Sequence, residues 1–222
     1  QRQMCIRDSI MLRKFKAFFG DEELRTYLMI VGVSSLLIAC NILHLYHNFA
    51  DSFEMSFFQV SNVITTTGFG FGNTVDWPLF SQFLLLMLMV VGGSAGSTAG
   101  GLKVIRFLIL ARIGKNQIRS TLSPNRVMTL HVNGTALDKD TQHKILKYFV
   151  VYTLIMISLI AVVSFDSNNF MTVVSAVFSC FNNIGPMIGT TDTFAIFSPI
   201  SKLLLSIAMI AGRLEIYPML LL

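Results

Sequence analysis

Long apolar stretches without charge dominate the chain, and shorter polar segments separate them. Residues 26–50, 78–102 and 148–165 hold no Asp, Glu, Lys or Arg. Their lengths fit helices, because crossing a bilayer core takes about 20 apolar residues in a helix and about 10 in a strand. They also lack the period-two alternation of a membrane barrel strand. The pattern therefore predicts a bundle of membrane-spanning helices.

A further uncharged stretch, residues 55–75, is too short in its apolar part to be a span of the same kind. After Ile64 the chain continues through three threonines and then alternates Gly with Phe. A segment of about 10 to 14 apolar residues is typical of a re-entrant segment. We therefore expect a short helix that enters from the outer side, followed by a polar loop that returns.

Composition and charge placement support this topology. The chain is 53% hydrophobic and 13% charged, with a mean hydropathy of +0.65, whereas a soluble domain carries about 25% charge. A soluble globule and a disordered chain are both excluded. Of the 17 Lys and Arg residues, six lie in residues 1–25 and nine in residues 103–147. By the positive-inside rule both segments are cytoplasmic, which requires residues 55–75 to return to the side they enter from.

These boundaries divide the chain into four parts. They are a cytoplasmic segment 1–25, a helix, loop and broken helix over 26–115, a cytoplasmic basic loop 116–143, and a second such unit over 144–222. Residues 1–9 fit no pattern, and we exclude them from the predicted fold as a candidate sequencing artefact. The three cysteines are odd in number and far apart, so neither a disulfide frame nor a zinc site is expected.

The two units are predicted to be internal repeats. Sliding the chain by 117 residues pairs polar-loop residues of the same type: Gly68 with Gly185, Gly72 with Gly189, and Thr74 with Thr191. Asp51 and Asn168 fall in register as N-cap residues, and Glu54 completes a capping-box pattern in the first copy. Each short helix then ends at its polar loop, where its partial negative charge favours a cation. The alternative is that Gly68 and Gly185 only terminate helices.

Four motifs carry a family resemblance. The run Thr66–Thr67–Gly68–Phe69–Gly70 resembles a degenerate K⁺ channel filter, and Asn183–Ile184–Gly185–Pro186 is similar to the fourth filter of the Trk/Ktr/HKT superfamily. GGSAGSTAGGLKVIR (92–106) and AGRLEIYPMLLL (211–222) resemble the third and fourth repeats of bacterial Trk-type potassium uptake subunits. The resemblance covers about residues 20–222.

The resemblance implies an all-α integral membrane fold with two parallel helix, pore-loop, helix (M1-P-M2) repeats. Four such units surround one pore in that family, so this chain would be its third and fourth units, the C-terminal half of a K⁺ channel-like pore. A homodimer that closes the ring is the alternative.

The implied function is K⁺ uptake through a carbonyl-lined filter, with K⁺ as the permeating ion, no organic cofactor and no enzymatic activity. The implied location is the bacterial inner membrane, with several spans and a cytoplasmic N-terminus. The filter residues would be Thr66, Thr67, Gly68, Phe69, Asn183, Ile184 and Gly185. Of these, K⁺ is expected at Thr67, Gly68, Ile184 and Gly185.

Two alternatives to K⁺ uptake remain open. Pro186 and Met187 stand where the first loop has Phe69 and Gly70, which leaves fewer well-formed carbonyl sites. A Na⁺-conducting or Na⁺-coupled relative is therefore one alternative. A membrane scaffold without transport is the alternative from another class, although buried Thr and Gly loops are costly unless something binds them.

The glycine-rich residues 92–101 break what would otherwise be a helix from 78 to 113, about 54 Å long. The resemblance implies an intramembrane gate there, formed by Gly92, Gly93, Gly96, Gly100 and Gly101. Close helix packing through a G-x-x-x-G pattern is the alternative. Arg213 aligns with Gly96 at membrane depth and is predicted to face the pore as a barrier to cations, or alternatively to extend to the cytoplasmic interface.

Expected partners follow from the basic segment and from the resemblance. Residues 115–144 carry five or more cations that suit anionic membrane lipids. The resemblance adds a cytosolic nucleotide-binding regulatory subunit. No nucleic-acid partner is expected.

Overall fold

A computed structural model describes residues 21–69, 74–94, 97, 99–122, 130–132, 135–167 and 169–213. This part of the chain contains seven α-helices, one short 3₁₀ helix and one hairpin of two-residue strands. In chain order the elements are α1 (Glu22–Tyr46), α2 (Phe49–Ile64), α3 (Leu79–Val91), α4 (Val104–Leu122), β1 (His131–Val132), β2 (Thr135–Ala136), α5 (Lys139–Val163), α6 (Phe170–Phe181), the 3₁₀ helix (Phe194–Ile196) and α7 (Pro199–Arg213). The predicted helical architecture is confirmed, whereas the grouping of the helices into repeats stays a prediction.

Helices α1 and α5 are the long apolar helices of the described part. Each has 25 residues, about 37 Å at 1.5 Å per residue, which exceeds a bilayer core of about 30 Å. Within the described residues, only these two are long and apolar enough to cross a membrane. The α1 helix begins after Asp21, whose carboxylate accepts a hydrogen bond from the Glu23 N–H at 2.9 Å.

The short helices α2 and α6 begin at other residues than the sequence predicts. His47, at φ 59°, reverses the chain directly after α1, so the N-cap of α2 is Asn48 and not Asp51. Asp51 lies in the first turn and accepts a hydrogen bond from Asn48 Nδ2 at 3.1 Å. The N-cap of α6 is Asn169, whose side chain accepts from the Met171 N–H at 3.2 Å; Asn168 lies outside the described residues.

A loop separates α3 from α4, and its two ends are hydrogen-bonded to each other. The Leu102 N–H donates to Val90 O at 3.0 Å, and the Val104 N–H donates to Gly93 O at 3.0 Å. The chain therefore leaves α3 and returns to its end before α4 begins. We call residues 92–103 the pinched loop.

The basic segment is more helical than the sequence indicates. Residues 116–143 were predicted to form a loop, but α4 continues to Leu122 and α5 begins at Lys139. Lys, Arg and Gln are good helix formers, which explains why both helices extend past their apolar parts. The hairpin lies between them.

The helices pack as two groups that share an interface. Helices α1, α2 and α3 contact one another, as do α5, α6 and α7; the groups meet where α3 contacts α6 and α4 contacts α5. Ile42, Val63 and Leu85 belong to the first core, and Tyr152 and Leu205 to the second. Polar loops that follow α2 and α6 lie at the junction of these cores.

The start of α7 is held by the loop after α5. Asp166 Oδ2 accepts a hydrogen bond from the Ser198 N–H at 2.9 Å, and Ser198 Oγ accepts from the Ser201 N–H at 3.3 Å. Hydrogen bonds from the side chain of Ser201 and from Ser198 hold the pKa of Asp166 below its usual value. The ionised carboxylate therefore connects α5 to α7.

We expect Asp166→Asn to lower the thermal unfolding midpoint of the complete protein at neutral pH. A carboxyl group with a lowered folded-state pKa stabilises the fold above the unfolded-state pKa of about 3.9, and this contribution disappears as the pH falls through the folded-state value. The difference in unfolding midpoint between parent and variant should therefore shrink below about pH 4. An equal difference at neutral and at acidic pH would contradict this role of the carboxylate.

Candidate ion pathway

Helix α2 ends in a left-handed turn that redirects the chain into the first polar loop. The Thr66 N–H donates to Val63 O at 3.1 Å. The Thr67 N–H donates to Asn62 O, also at 3.1 Å. This pair of bonds is the Schellman arrangement, in which the residue after the C-cap adopts positive φ. Thr66 takes that position at φ 53°, which is strained for a β-branched residue and costs about 1–3 kcal/mol.

Helix α6 ends in the same way, 117 residues later. The Asn183 N–H donates to Cys180 O at 3.1 Å, and the Ile184 N–H donates to Ser179 O at 2.9 Å. Asn183 has φ 55°, close to the value at Thr66. The same hydrogen-bond pattern therefore occurs at the residues that the sequence offset pairs.

Side chains of the short helices fasten the two polar loops. Asn62, 6% exposed, accepts from the Phe69 N–H at 2.8 Å and donates through Nδ2 to Phe69 O at 2.6 Å. Its counterpart Ser179 accepts from the Gly185 N–H through Oγ at 3.1 Å. The first loop is thus held by two side-chain bonds and the second, at this position, by one.

The two polar loops meet directly. Gly68 has φ +78°, and a β-carbon there would overlap Ile184 O. A β-carbon on Gly185 would lie 3.9 Å from the Gly68 Cα and 4.0 Å from Gly68 O. Predicted filter residues from both loops are therefore neighbours, and Thr67, Phe69 and Gly185 are exposed. Backbone carbonyl oxygens and threonine hydroxyl oxygens are the atoms at this junction that can coordinate a cation.

The pinched loop packs against the ends of both short helices. A β-carbon on Gly100 would overlap Asn182 O, and one on Gly93 would lie 3.7 Å from Ile64 O. Gly92 and Gly101, at φ +67° and +85°, form the neck of the loop. Of the five predicted gate glycines, the structure therefore brings Gly93 and Gly100 to the ends of the short helices, whereas Gly92 and Gly101 contact each other at the neck; Gly96 lies outside the described residues.

Arg213 is the last residue of α7 and is exposed. It lines an open groove with Asn183, Met209 and Ile210. Asn183 Nδ2 donates to Met209 O at 3.0 Å, so the groove adjoins the second polar loop. The predicted proximity of Arg213 to Gly96 falls outside the described residues.

Sequence reasoning did not single out Gly212, which completes a pattern around the end of α6. A β-carbon on Gly212 would overlap Phe181 O. Three nearly consecutive carbonyls, of Phe181, Asn182 and Ile184, are thus each approached by a glycine: Gly212 of α7, Gly100 of the pinched loop and Gly68 of the first polar loop. Only the absence of a side chain permits these contacts.

Sequence reasoning also missed the polar side chains that fasten this region. Asn182 is 0% exposed, and its Oδ1 accepts a hydrogen bond from Tyr152 OH at 2.7 Å. Asn62 and Gln82 are likewise buried amides. The available signal was the presence of amide side chains in helices of a largely apolar chain, since buried polar side chains normally serve a hydrogen bond.

Comparison with known proteins identifies the family. The sequence profile of the TrkH cation transport proteins matches residues 6–222. The chain belongs to this family. The predicted recognition is therefore confirmed, and the TrkH match includes all residues that the structure describes. Family membership also makes this a membrane protein, in agreement with the long apolar helices α1 and α5.

Individual relatives agree with the family match. Over 217 residues, the chain is 36% identical to the Trk system potassium uptake protein TrkH of Salmonella typhimurium. The alignment covers 95% of this chain and 44% of that protein. Over 215 residues, it is 33% identical to the Trk system potassium uptake protein TrkG of Escherichia coli K12, and that alignment covers 96% of this chain and 44% of TrkG. Its fold matches the crystal structure of the potassium transporter TrkH from Vibrio parahaemolyticus with a TM-score of 0.86 and 32% sequence identity. The superposition covers 93% of this chain and 45% of that structure's chain. The chain thus spans less than half the length of these TrkH and TrkG relatives.

The fastening of the first loop can be tested with Asn62→Leu, which keeps the side-chain volume and removes both bonds to Phe69. We expect the complete protein to lose about 2 kcal/mol of stability, because each hydrogen bond contributes about 1 kcal/mol. Ser179→Ala removes one bond at the paired position and should cost about half as much. Thermal unfolding of both purified variants measures the difference; equal stability of parent and Asn62→Leu would contradict the fastening.

Proposed function

We propose that the complete protein takes up K⁺ through a filter built in part by the two polar loops. The observation that carries this proposal is the contact between Gly68 and Gly185 at the ends of two short helices. Backbone outside a helix is tolerated at membrane depth where it is buried or lines a water-filled path. Carbonyl oxygens lining such a path replace the hydration shell of K⁺.

The electrostatics of α2 and α6 favour a cation at this junction. Each helix carries about half a negative charge at its C-terminal end, and both ends converge on the polar loops. The expected filter residues are Thr66, Thr67, Gly68 and Phe69 of the first loop and Asn183, Ile184 and Gly185 of the second. K⁺ would bind between Thr67, Gly68, Ile184 and Gly185.

Two further filter loops belong to this proposal. The relatives are about twice as long as this chain, and the missing half would supply the first and second pore units. The protein would then lie in the bacterial inner membrane with its basic segments on the cytoplasmic side, in contact with anionic lipids and with a cytosolic nucleotide-binding regulatory subunit.

The pinched loop is proposed to be the gate beneath the filter. Its contacts with the ends of α2 and α6 support this proposal, because a loop beside both polar loops would obstruct an ion that has passed Gly68. Arg213 would add an electrostatic barrier at the second polar loop. Displacement of the pinched loop would change access to the path past Arg213.

Gly68→Ser tests the filter. A side chain at position 68 would overlap Ile184 O, and the substituted residue would have to keep a positive φ. We therefore expect that the complete gene with this substitution no longer rescues a K⁺-uptake-deficient cell. Gly32→Ser in α1 is the matched control, since a β-carbon there meets nothing within 4 Å. Both variants are quantified in the membrane fraction.

Undiminished rescue by Gly68→Ser at parental abundance would contradict the filter. Rescue by the parent that requires Na⁺, or Na⁺ flux equal to K⁺ flux, would favour a Na⁺-coupled or Na⁺-conducting protein. Such an outcome is consistent with the replacement of Phe69 and Gly70 by Pro186 and Met187 in the second loop.

Arg213→Ala tests the barrier. A unit charge about 10 Å from the ion contributes about 1.7 kcal/mol at an effective dielectric constant of about 20. Its removal should therefore raise K⁺ flux through the complete protein about fifteenfold. Lys115→Ala removes an exposed cation of α4 that does not line the groove at Arg213, and it should leave the flux unchanged. Equal flux for parent and Arg213→Ala would eliminate the barrier role.

A further inference from the structure

Gln82 of α3 is a buried amide that fastens the segment leading out of the first polar loop. It is 7% exposed, and its Nε2 lies 3.1 Å from Thr74 O, 3.0 Å from Val75 O and 3.0 Å from Trp77 O. An amide carries two N–H donors, which these three carbonyls share. We call residues 74–77 the first outer limb.

The same side chain contacts the second polar loop. Gly189 has φ +68°, and a β-carbon there would lie 2.5 Å from Gln82 Oε1 and 2.9 Å from its Cδ. The Gly189 N–H also donates to Thr74 Oγ1 at 3.4 Å. We call residues 188–192 the second outer limb. Gln82 therefore touches both outer limbs.

The second outer limb is held from the other side by α6. Asp192 Oδ2 accepts hydrogen bonds from Thr172 Oγ1 at 2.8 Å and from Thr190 Oγ1 at 3.1 Å. Ser175 Oγ accepts from the Ile188 N–H. The position of Gly189 is thus fixed between Gln82 on one side and the hydroxyl groups of α6 on the other.

Gly189 lies only four positions after Gly185, so a shift of the second outer limb must reach the junction of the loops. Four extended residues span at most about 14 Å, and Gly185 is itself bonded to Ser179. The counterpart of Gln82 at the sequence offset is Pro199, which has no side-chain donor. Gln82 therefore acts on both limbs from the α3 side alone.

We propose that Gln82 is a positioning residue for ion selectivity: it sets the separation of the two outer limbs and, through them, the spacing of the carbonyls at Gly68 and Gly185. The proposal rests on the proposed K⁺ uptake. Gln82 does not contact the ion. Selectivity for K⁺ over the smaller Na⁺ depends on the size of the carbonyl cage or on the number of carbonyls that reach the ion; loosened limbs alter both, so they reduce discrimination before they abolish flux.

The test measures K⁺ and Na⁺ flux through the complete transporter reconstituted in lipid vesicles. We expect Gln82→Leu, which removes both the donors and Oε1, to lower the ratio of K⁺ to Na⁺ flux by about fivefold or more, equivalent to about 1 kcal/mol of discrimination. Ser81→Ala is the matched control on the same helix. It removes a buried hydroxyl that accepts from Asn41 Nδ2 at 2.9 Å and does not bond either limb, so it should cost stability and leave the ratio unchanged.

Gln82→Glu and Gly189→Ala keep the test decisive if Gln82→Leu fails to reach the membrane. The glutamate keeps the shape and loses the amide donors, whereas the alanine pushes the second outer limb away from Gln82. Each should lower the ratio of K⁺ to Na⁺ flux.

A parental flux ratio in any of the three variants at parental abundance would overturn the proposal. Failure of all three variants to reach the membrane would also overturn it, because Gln82 would then be purely structural. A parent that carries no K⁺ would end the proposed function itself, whereas a selective parent with equally selective variants would end only the role of Gln82.

Discussion

Backbone groups inside a bilayer have no water to bind, so any chain segment that leaves the helix there must find its hydrogen-bond partners within the protein. At the membrane depth proposed for them, the two polar loops of this chain are subject to that requirement. Their first amides bond back to the helices that precede them, at Asn62 O and Ser179 O. The side chains of the same two residues then bind the next part of each loop. Without these bonds the loops would have no stable conformation at membrane depth.

A second constraint is the closeness of approach at the end of α6. Glycines from three separate elements contact three nearly consecutive carbonyls there, and no larger residue fits. The pinched loop, α7 and the first polar loop consequently meet at one place. A movement of any one of these elements displaces the other two, because the close-packed interface leaves no empty space between them. This gives the proposed gate and the proposed filter a direct mechanical connection through Asn182 and Asn183.

The two loops are similar in backbone and different in how they are fastened. The bonds at Thr66 and Asn183 recur at equal sequence spacing, yet the first outer limb relies on Gln82 and the second on Asp192 with the hydroxyls of α6. The different fastening also allows the loops to differ in rigidity.

Much of the architecture was readable from the sequence alone. Runs of uncharged apolar residues determined the helices, since hydrophobic length must match a bilayer, and glycine content located the break before Val104. The sequence offset of 117 residues paired Gly68 with Gly185. Helix starts were less readable: Asp51 and Asn48 are both good N-caps, and only the left-handed turn at His47 decided between them.

The tertiary structure decided which residues beyond the motifs touch the candidate pathway. Nothing local distinguishes Gln82 from any other amide in a helix, or Gly212 from any small residue. Their roles depend on contacts with segments about a hundred residues away along the chain, such as Gly189, or with the end of another helix, such as Phe181. Periodicity and composition report the environment of a residue averaged over its own helix. Which carbonyl lies opposite is set by how the helices pack, and that is determined only once the whole chain has folded.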